Sequence, residues 1–487
     1  MVFSSITFLL YFLPVSIAGY FVLSFSRAMQ NIWLLVVSLL FYAWGEPAFI
    51  FILVGSIIVN WICGLLIAAF DSKKKARKAV LVVNIIFNVG ILAVFKYTNF
   101  IVDSINSGIG KSIIKVQDIA LPIGISFFTF QIISYIVDLY RRQVKVQKNP
   151  FYLGLYIAFF PQLIAGPIVR YNSIADQIKN RKLTFNKFSD GVNRFVVGLV
   201  KKILIANNMA IIADNVFAMV KADRPDVKVQ IMLAWIGAIA YTFQLYYDFS
   251  SYSDMAIGLG KMFGFEFEEN FNYPFISKSA REFMGRWHIS LQTWFTQYVY
   301  IPLGGSRMKN QDYVVRNMFI VWLLTGIWHG AAWTFIWWGI YFFVLITLER
   351  ILMFDRWKHM DVFKHIYTIV AVIIAMVLFR SEDMSQFVNM LSYMFGTAEN
   401  GFYSATAVML LKEYAFIFIA AIVCALPVKD IFSKILVTLT KREEVKVPAL
   451  IKGAGGLVYI AGLMALAFFC VTILAKGGYN PFIYFNF

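Results

Sequence analysis

The chain has 487 residues, of which 60% are hydrophobic and only 15% charged, with a formal net charge of +17. Soluble domains carry about 25% charged residues, so a soluble fold is excluded, and continuous rather than alternating apolar runs argue against a transmembrane β-barrel. The basic excess does not point to a nucleic-acid partner. Lys and Arg gather in short segments beside apolar runs, at 73–78, 141–148, 179–187 and 429–446, as the positive-inside rule produces, with some attraction to anionic lipid headgroups.

Apolar runs near 5–25, 31–44, 48–70, 79–101 and 119–139 approach the roughly 20 residues that cross a hydrocarbon core. The first lacks a basic leader and a clear cleavage site, so it reads as a retained span. Trp44-Gly45-Glu46-Pro47 breaks the chain between the second and third. If 73–78 and 141–148 are cytoplasmic, counting back puts Arg27 inside and the N-terminus outside. Segment 159–170 is apolar but holds Pro161, Gly166 and Pro167. It reads as re-entrant or interfacial backbone, which lipid tolerates only when protein or a cavity covers it, or as a surface loop.

Further helices are predicted near 190–220 and 228–262, an amphipathic one over 280–300, and spans near 314–328, 330–350, 362–380, 384–396, 406–427 and 449–475. The aromatic tail 479–487 suits an interfacial anchor. The expected fold is an all-α polytopic membrane protein with 11–13 membrane helices, some partial or re-entrant, forming one domain over 1–487. Cys63, Cys424 and Cys470 are scattered through apolar segments, so neither a metal site nor a disulfide framework is expected.

The chemistry should sit where ionisable groups enter lipid, because such groups are costly there and mark function. His329 lies in Trp322-Leu-Leu-Thr-Gly-Ile-Trp328-His329-Gly-Ala-Ala-Trp333, with no charged side chain from Asn317 to Thr347 and a possible break at Gly326 or Gly330. Thr325, Gly326 and Trp333 share its helical face. Gly326 and Gly330 form a G-x-x-x-G that permits close helix approach and leave room for a substrate. The plainer alternative is a structural histidine bonded to a neighbouring helix.

His288 lies in a second unusual segment that opens with a capping box at Ser279 and Glu282. Phe283, Trp287, Leu291, Trp294 and Tyr298 then form one apolar stripe, and His288 projects with Gln292. A third segment runs from Tyr246 to Gly258. There Asp248 meets Ser251 and Tyr252, and Ser250 meets Asp254, at helical spacing. Its carboxylates could line a water-filled tunnel, pair with arginine, or form a hydrogen-bonded helix contact. The sequence holds no HExxH, P-loop or GxSxG motif. Burial disfavours the imidazolium, so His329 is expected to be neutral and able to accept a proton. A lone base without a nucleophile favours direct attack of a hydroxyl on a thioester.

Trp287-His288-Ile-Ser-Leu, Tyr300-Ile-Pro-Leu-Gly-Gly305 and Gly326-Ile-Trp-His329-Gly-Ala resemble the membrane-bound O-acyltransferase (MBOAT) family. Leu121 to Phe130, Gly166 to Arg170, Tyr246 to Met255 and the aromatic C-terminus are similar to its bacterial alginate O-acetyltransferase (AlgI-like) branch. The resemblance implies helices ringed around a central tunnel, His329 as the catalytic base and His288 as a second functional position. Residues flanking these histidines and in the Tyr246–Gly258 segment (Asp248, Ser251, Asp254, Arg281, Trp287, Gln292, Trp328 and Trp333) are candidates for the substrate tunnel. Met284 and Gly285 depart from the bulkier pair expected there.

The resemblance further implies acetyl-CoA as a cytosolic donor substrate, with no permanently bound cofactor. It implies a secreted or membrane-anchored acyltransferase partner and an exported polysaccharide on the outer side of a bacterial cell membrane. Two alternatives stand: D-alanyl transfer to teichoic acid from a carrier protein, and a transporter or polysaccharide exporter without catalysis. Against the latter, no paired halves of the kind transporters commonly show are visible.

Overall fold

The computed structural model describes residues 1–115, 119–221, 229–428, 431 and 449–483. All regular elements among them are helices. In chain order they are α1 (Phe8–Val22), α2 (Arg27–Gly45), α3 (Ile50–Ala69), α4 (Lys74–Ile109), α5 (Ile125–Tyr140), α6 (Pro150–Ala158), α7 (Phe160–Leu163), α8 (Tyr171–Asn180), α9 (Phe185–Val220) and α10 (Ile231–Met262). After them come α11 (Ala280–Arg286), α12 (Ile289–Phe295), α13 (Gln311–His329), α14 (Trp333–Ile351), α15 (Asp361–Arg380), α16 (Met384–Phe395), α17 (Ala405–Glu413), α18 (Ala415–Cys424) and α19 (Ala449–Ala475).

Among the described residues seven helices are long and apolar enough to cross a membrane, and the pair α17–α18, bent by 66°, makes an eighth. The shorter apolar helices α1 and α5 answer to the partial members that the sequence led us to expect. This is a multi-pass membrane protein. The basic segment at 429–446, apart from residue 431, and the end of the tail at 484–487 lie outside the described residues.

Small residues and amides hold the spans together, because lipid offers no hydrophobic drive between helices. On α9, Gly191 and Gly198 face α10. A Cβ on Gly191 would lie 2.7 Å from the Gly258 carbonyl, and one on Gly198 would lie 2.8 Å from that of Ser251. Between α3 and α4, the amide of Asn60 donates to Asn88 at 3.1 Å and that of Asn84 donates to Asn60 at 2.7 Å.

Segment 159–170 resolves into α7 and irregular backbone, with residues 159–169 all buried. It is therefore covered by protein rather than lying on the surface. The described part of the tail packs on the bundle. Asn480 donates to the Ser4 carbonyl at 3.0 Å, the ring of Phe482 lies 4.9 Å from that of Tyr252, and the Ile483 N–H donates to Asp248 at 2.8 Å.

Candidate active site

α13 and α14 form a hairpin whose turn is Gly330-Ala-Ala, so the predicted break falls at Gly330. A Cβ on Gly326 would lie 2.4 Å from the Phe335 carbonyl, and one on Gly330 would lie 2.1 Å from the Phe335 ring. These glycines accommodate α14. The space we assigned to a substrate is filled by protein. The turn also carries Trp333 away from the face of His329: it is 55% exposed and packs edge-on against Phe100.

The helix predicted over 280–300 is interrupted. α11 ends at Arg286, and His288 takes a left-handed conformation with φ +46° before α12 begins. Left-handed backbone is uncommon outside glycine, though histidine adopts it more readily than most. Asn270 fixes this break. Its backbone carbonyl accepts from the Ile289 N–H at 2.9 Å, and its side-chain oxygen accepts from the Ser290 hydroxyl at 2.8 Å. The loop carrying Asn270 is pinned by ion pairs from Arg170 to Glu268 at 3.2 Å, from Lys187 to Glu266 at 2.7 Å, and from Arg194 to Glu269. The Lys187 hydrogen bond holds the exposed Glu266 carboxyl below the usual carboxylate range. The predicted cap at Ser279 is present, since its hydroxyl accepts from the Glu282 N–H at 3.0 Å. Glu282, however, accepts from the Lys278 N–H rather than closing the box on Ser279.

These devices bring His288 and His329 to one cavity of about 510 Å3, their ring centroids 6.4 Å apart. Arg281, Trp287 and Gln292 line it as well, as do Met284, Thr325, Glu349 and Arg350. Both histidines are buried. Neither ring nitrogen of His288, nor Nδ1 of His329, has a hydrogen-bond partner among the described residues. Buried polar atoms are nearly always bonded, so these nitrogens are free to bind something that enters.

The cavity extends from the histidines to Ser306, Arg350 and Asp355. Arg141, from the basic segment 141–148, donates to the Gln297 carbonyl at 3.1 Å, beside the cavity wall. The part of the cavity lined by Thr296 therefore lies beside a basic segment. A second cavity of about 490 Å3 is lined by Gln244, Thr334, Phe335, Phe379, Arg380 and Tyr479 among others, and not by His329. The Phe379 ring that lines it stands 5.2 Å from His329. The two cavities are thus separate, with Phe379 of the second in ring contact with His329 of the first.

Trp328 packs between the histidines, 5.7 Å from His288 and 5.2 Å from His329, without lining either cavity. Asp248, Ser251 and Asp254 do not join the site. Asp248 and Lys202 form a buried ion pair, and Lys202 also donates to the Pro481 carbonyl. Asp254 takes Arg194 at 2.9 Å and Lys201 at 3.2 Å, and Ser251 sits in the α9–α10 contact. Helical spacing placed these three groups on one helix but did not disclose the cations on α9 that claim the carboxylates.

Two residues at the site were missed. Glu349 accepts from the N–H groups of Ala280 at 2.6 Å and Arg281 at 3.1 Å, fixing the start of α11. Lys96 sits buried beside Trp328. The rule that singled out His329 would have found it, as a lysine within an apolar run.

A polytopic helical protein with two unpartnered histidines in a cavity at membrane depth has the makings of an intramembrane acid–base enzyme. The chain belongs to the membrane-bound O-acyltransferase family, whose sequence model matches residues 88–406, and it is an O-acyltransferase. It is similar over its full length, at 39% identity, to a Pseudomonas putida protein described as "probable alginate O-acetylase AlgI". It is 43% identical to the Pseudomonas aeruginosa protein of the same description, over 79% of this chain and 73% of that protein. It is also 37% identical to a peptidoglycan O-acetyltransferase of Helicobacter pylori, over 72% of this chain and 70% of that protein.

Proposed function

We propose that the protein moves an acetyl group from cytosolic acetyl-CoA to the outer side of a bacterial cell membrane, for O-acetylation of an exported polysaccharide. His329 acts as general base. The observation that carries this reading is the cavity that brings His288 and His329 together with unpartnered ring nitrogens. Arg281 and Arg350 in the lining of that cavity suit an anionic coenzyme. The names of the relatives favour acetyl transfer to an envelope polymer.

In the reaction His329 accepts the acceptor's hydroxyl proton as that oxygen attacks the thioester carbonyl. The C–S bond then breaks, and the leaving thiolate takes the proton back from the imidazolium, giving the O-acetyl product and free coenzyme thiol. His288 faces the same cavity and serves the donor's carbonyl or the acceptor. The acceptor is polysaccharide or a secreted or membrane-anchored acyltransferase partner, and the N-terminus lies outside by the charge count.

The test is purified protein with labelled acetyl-CoA and candidate acceptors. General-base catalysis contributes about 10²- to 10⁴-fold, so His329→Ala should lose at least a hundredfold in transfer while still inserting and folding. Wild-type transfer by that variant would remove the proposed base.

A further inference from the structure

α13 ends at His329, and a helix leaves its last four carbonyls without helical partners. At membrane depth no water relieves them. Two consecutive side chains of α4 take two of these carbonyls. The Tyr97 hydroxyl donates to the Ile327 carbonyl at 2.7 Å, and the Lys96 ammonium donates to the Trp328 carbonyl at 2.5 Å. Lys96 also donates to the Ser126 hydroxyl at 3.3 Å and lies 5.7 Å from the centre of the Trp328 ring. It is 6% exposed, and no carboxylate pairs with it among the described residues.

A buried lysine is an uncommon way to satisfy one carbonyl at membrane depth. What distinguishes the position is its target. The amine donates at the C-terminal end of α13, on the residue directly before His329. We propose that Lys96 is a positioning residue for the His329 base. It clamps the Trp328 carbonyl and indole so that the imidazole stays in the cavity it shares with His288, where a displacement of about 1 Å can cost on the order of a hundredfold in rate. This assignment rests on the reading of His329 as base. Lys96 lines neither cavity, so it touches neither substrate.

The test is Lys96→Met in the full-length protein, with Lys96→Gln as the variant that keeps an N–H donor but no charge. Lys96→Met leaves the Trp328 carbonyl unpaired and should melt earlier in detergent, so turnover is read per folded molecule below the melt. There it should lower kcat at least tenfold and leave KM for acetyl-CoA within about twofold. Lys96→Gln should recover part of the lost kcat. A purely structural lysine would instead lower the folded fraction and leave turnover per folded molecule unchanged. Wild-type kcat per folded molecule in Lys96→Met, or no recovery with Gln, would each overturn the proposal. Envelope acetyl content is measured in parallel in cells carrying each variant. If wild-type protein consumes no acetyl-CoA, the donor assignment fails, and Lys96 is judged on the cellular content alone.

Discussion

The Asp248–Lys202 pair gives a sharp test of whether a carboxylate in a membrane helix is there for chemistry or for packing. Asp248 is 1% exposed and Lys202 2%. Asp248 also accepts from the Ile483 N–H, and Lys202 donates to the Pro481 carbonyl, so the pair ties α9 and α10 to the tail. Asp248→Asn leaves the ammonium buried without its counter-charge. Breaking a buried pair from one side costs about 3–5 kcal/mol, a rise of roughly two to nearly four orders of magnitude in the unfolded-to-folded ratio. Replacing both partners, as in Asp248→Leu with Lys202→Met, removes both charges and forfeits mainly the two tail hydrogen bonds, about 1 kcal/mol each. The double variant should therefore be more stable than Asp248→Asn. The assay is the fraction of monodisperse protein surviving a temperature series in detergent, with acetyl transfer measured per folded molecule. Asp248→Asn should melt early yet retain wild-type turnover below its melt. An Asp248→Asn protein as stable as wild type but inactive would refute the packing role.

Phe379→Ala should let water from the second cavity reach His329, raising acceptor-independent hydrolysis of labelled acetyl-CoA severalfold while transfer falls; unchanged hydrolysis would show that this ring does not separate the cavities. Gly326→Ala places a Cβ 2.4 Å from the Phe335 carbonyl, and because backbone cannot yield cheaply, overpacking of about 1–3 kcal/mol should appear as an earlier melt in detergent. A wild-type melt would mean that α13 and α14 are farther apart than described.

Much of this protein was legible from one-dimensional patterns. Apolar run length fixed the membrane class, and the glycines offered a break at Gly326 or Gly330, of which the structure takes Gly330. His288 and His329 stood out because ionisable groups are scarce in such runs, and Arg281, Trp287 and Gln292 came with them by proximity along the chain. The misses have physical causes. Trp333 shares a helical face with His329 only if the helix continues, and the turn at 330–332 ends it. For Asp248 and Asp254 the sequence left tunnel lining and pairing with arginine both open; Asp254 does pair with Arg194, and the cations of both lie on α9, about 45 to 60 residues earlier in the chain.

Along the chain, periodicity and polarity determined that this is a helical membrane protein with imidazoles inside its apolar segments. They act over a few turns, where spacing alone sets which side chains are neighbours. The partners of the buried polar groups come from packing between distant segments: Lys96 meets Trp328 across 232 residues, and Ile483 reaches Asp248 across 235. Only the tertiary structure decides such pairs, because each buried polar group must take whichever partner the helix packing presents to it.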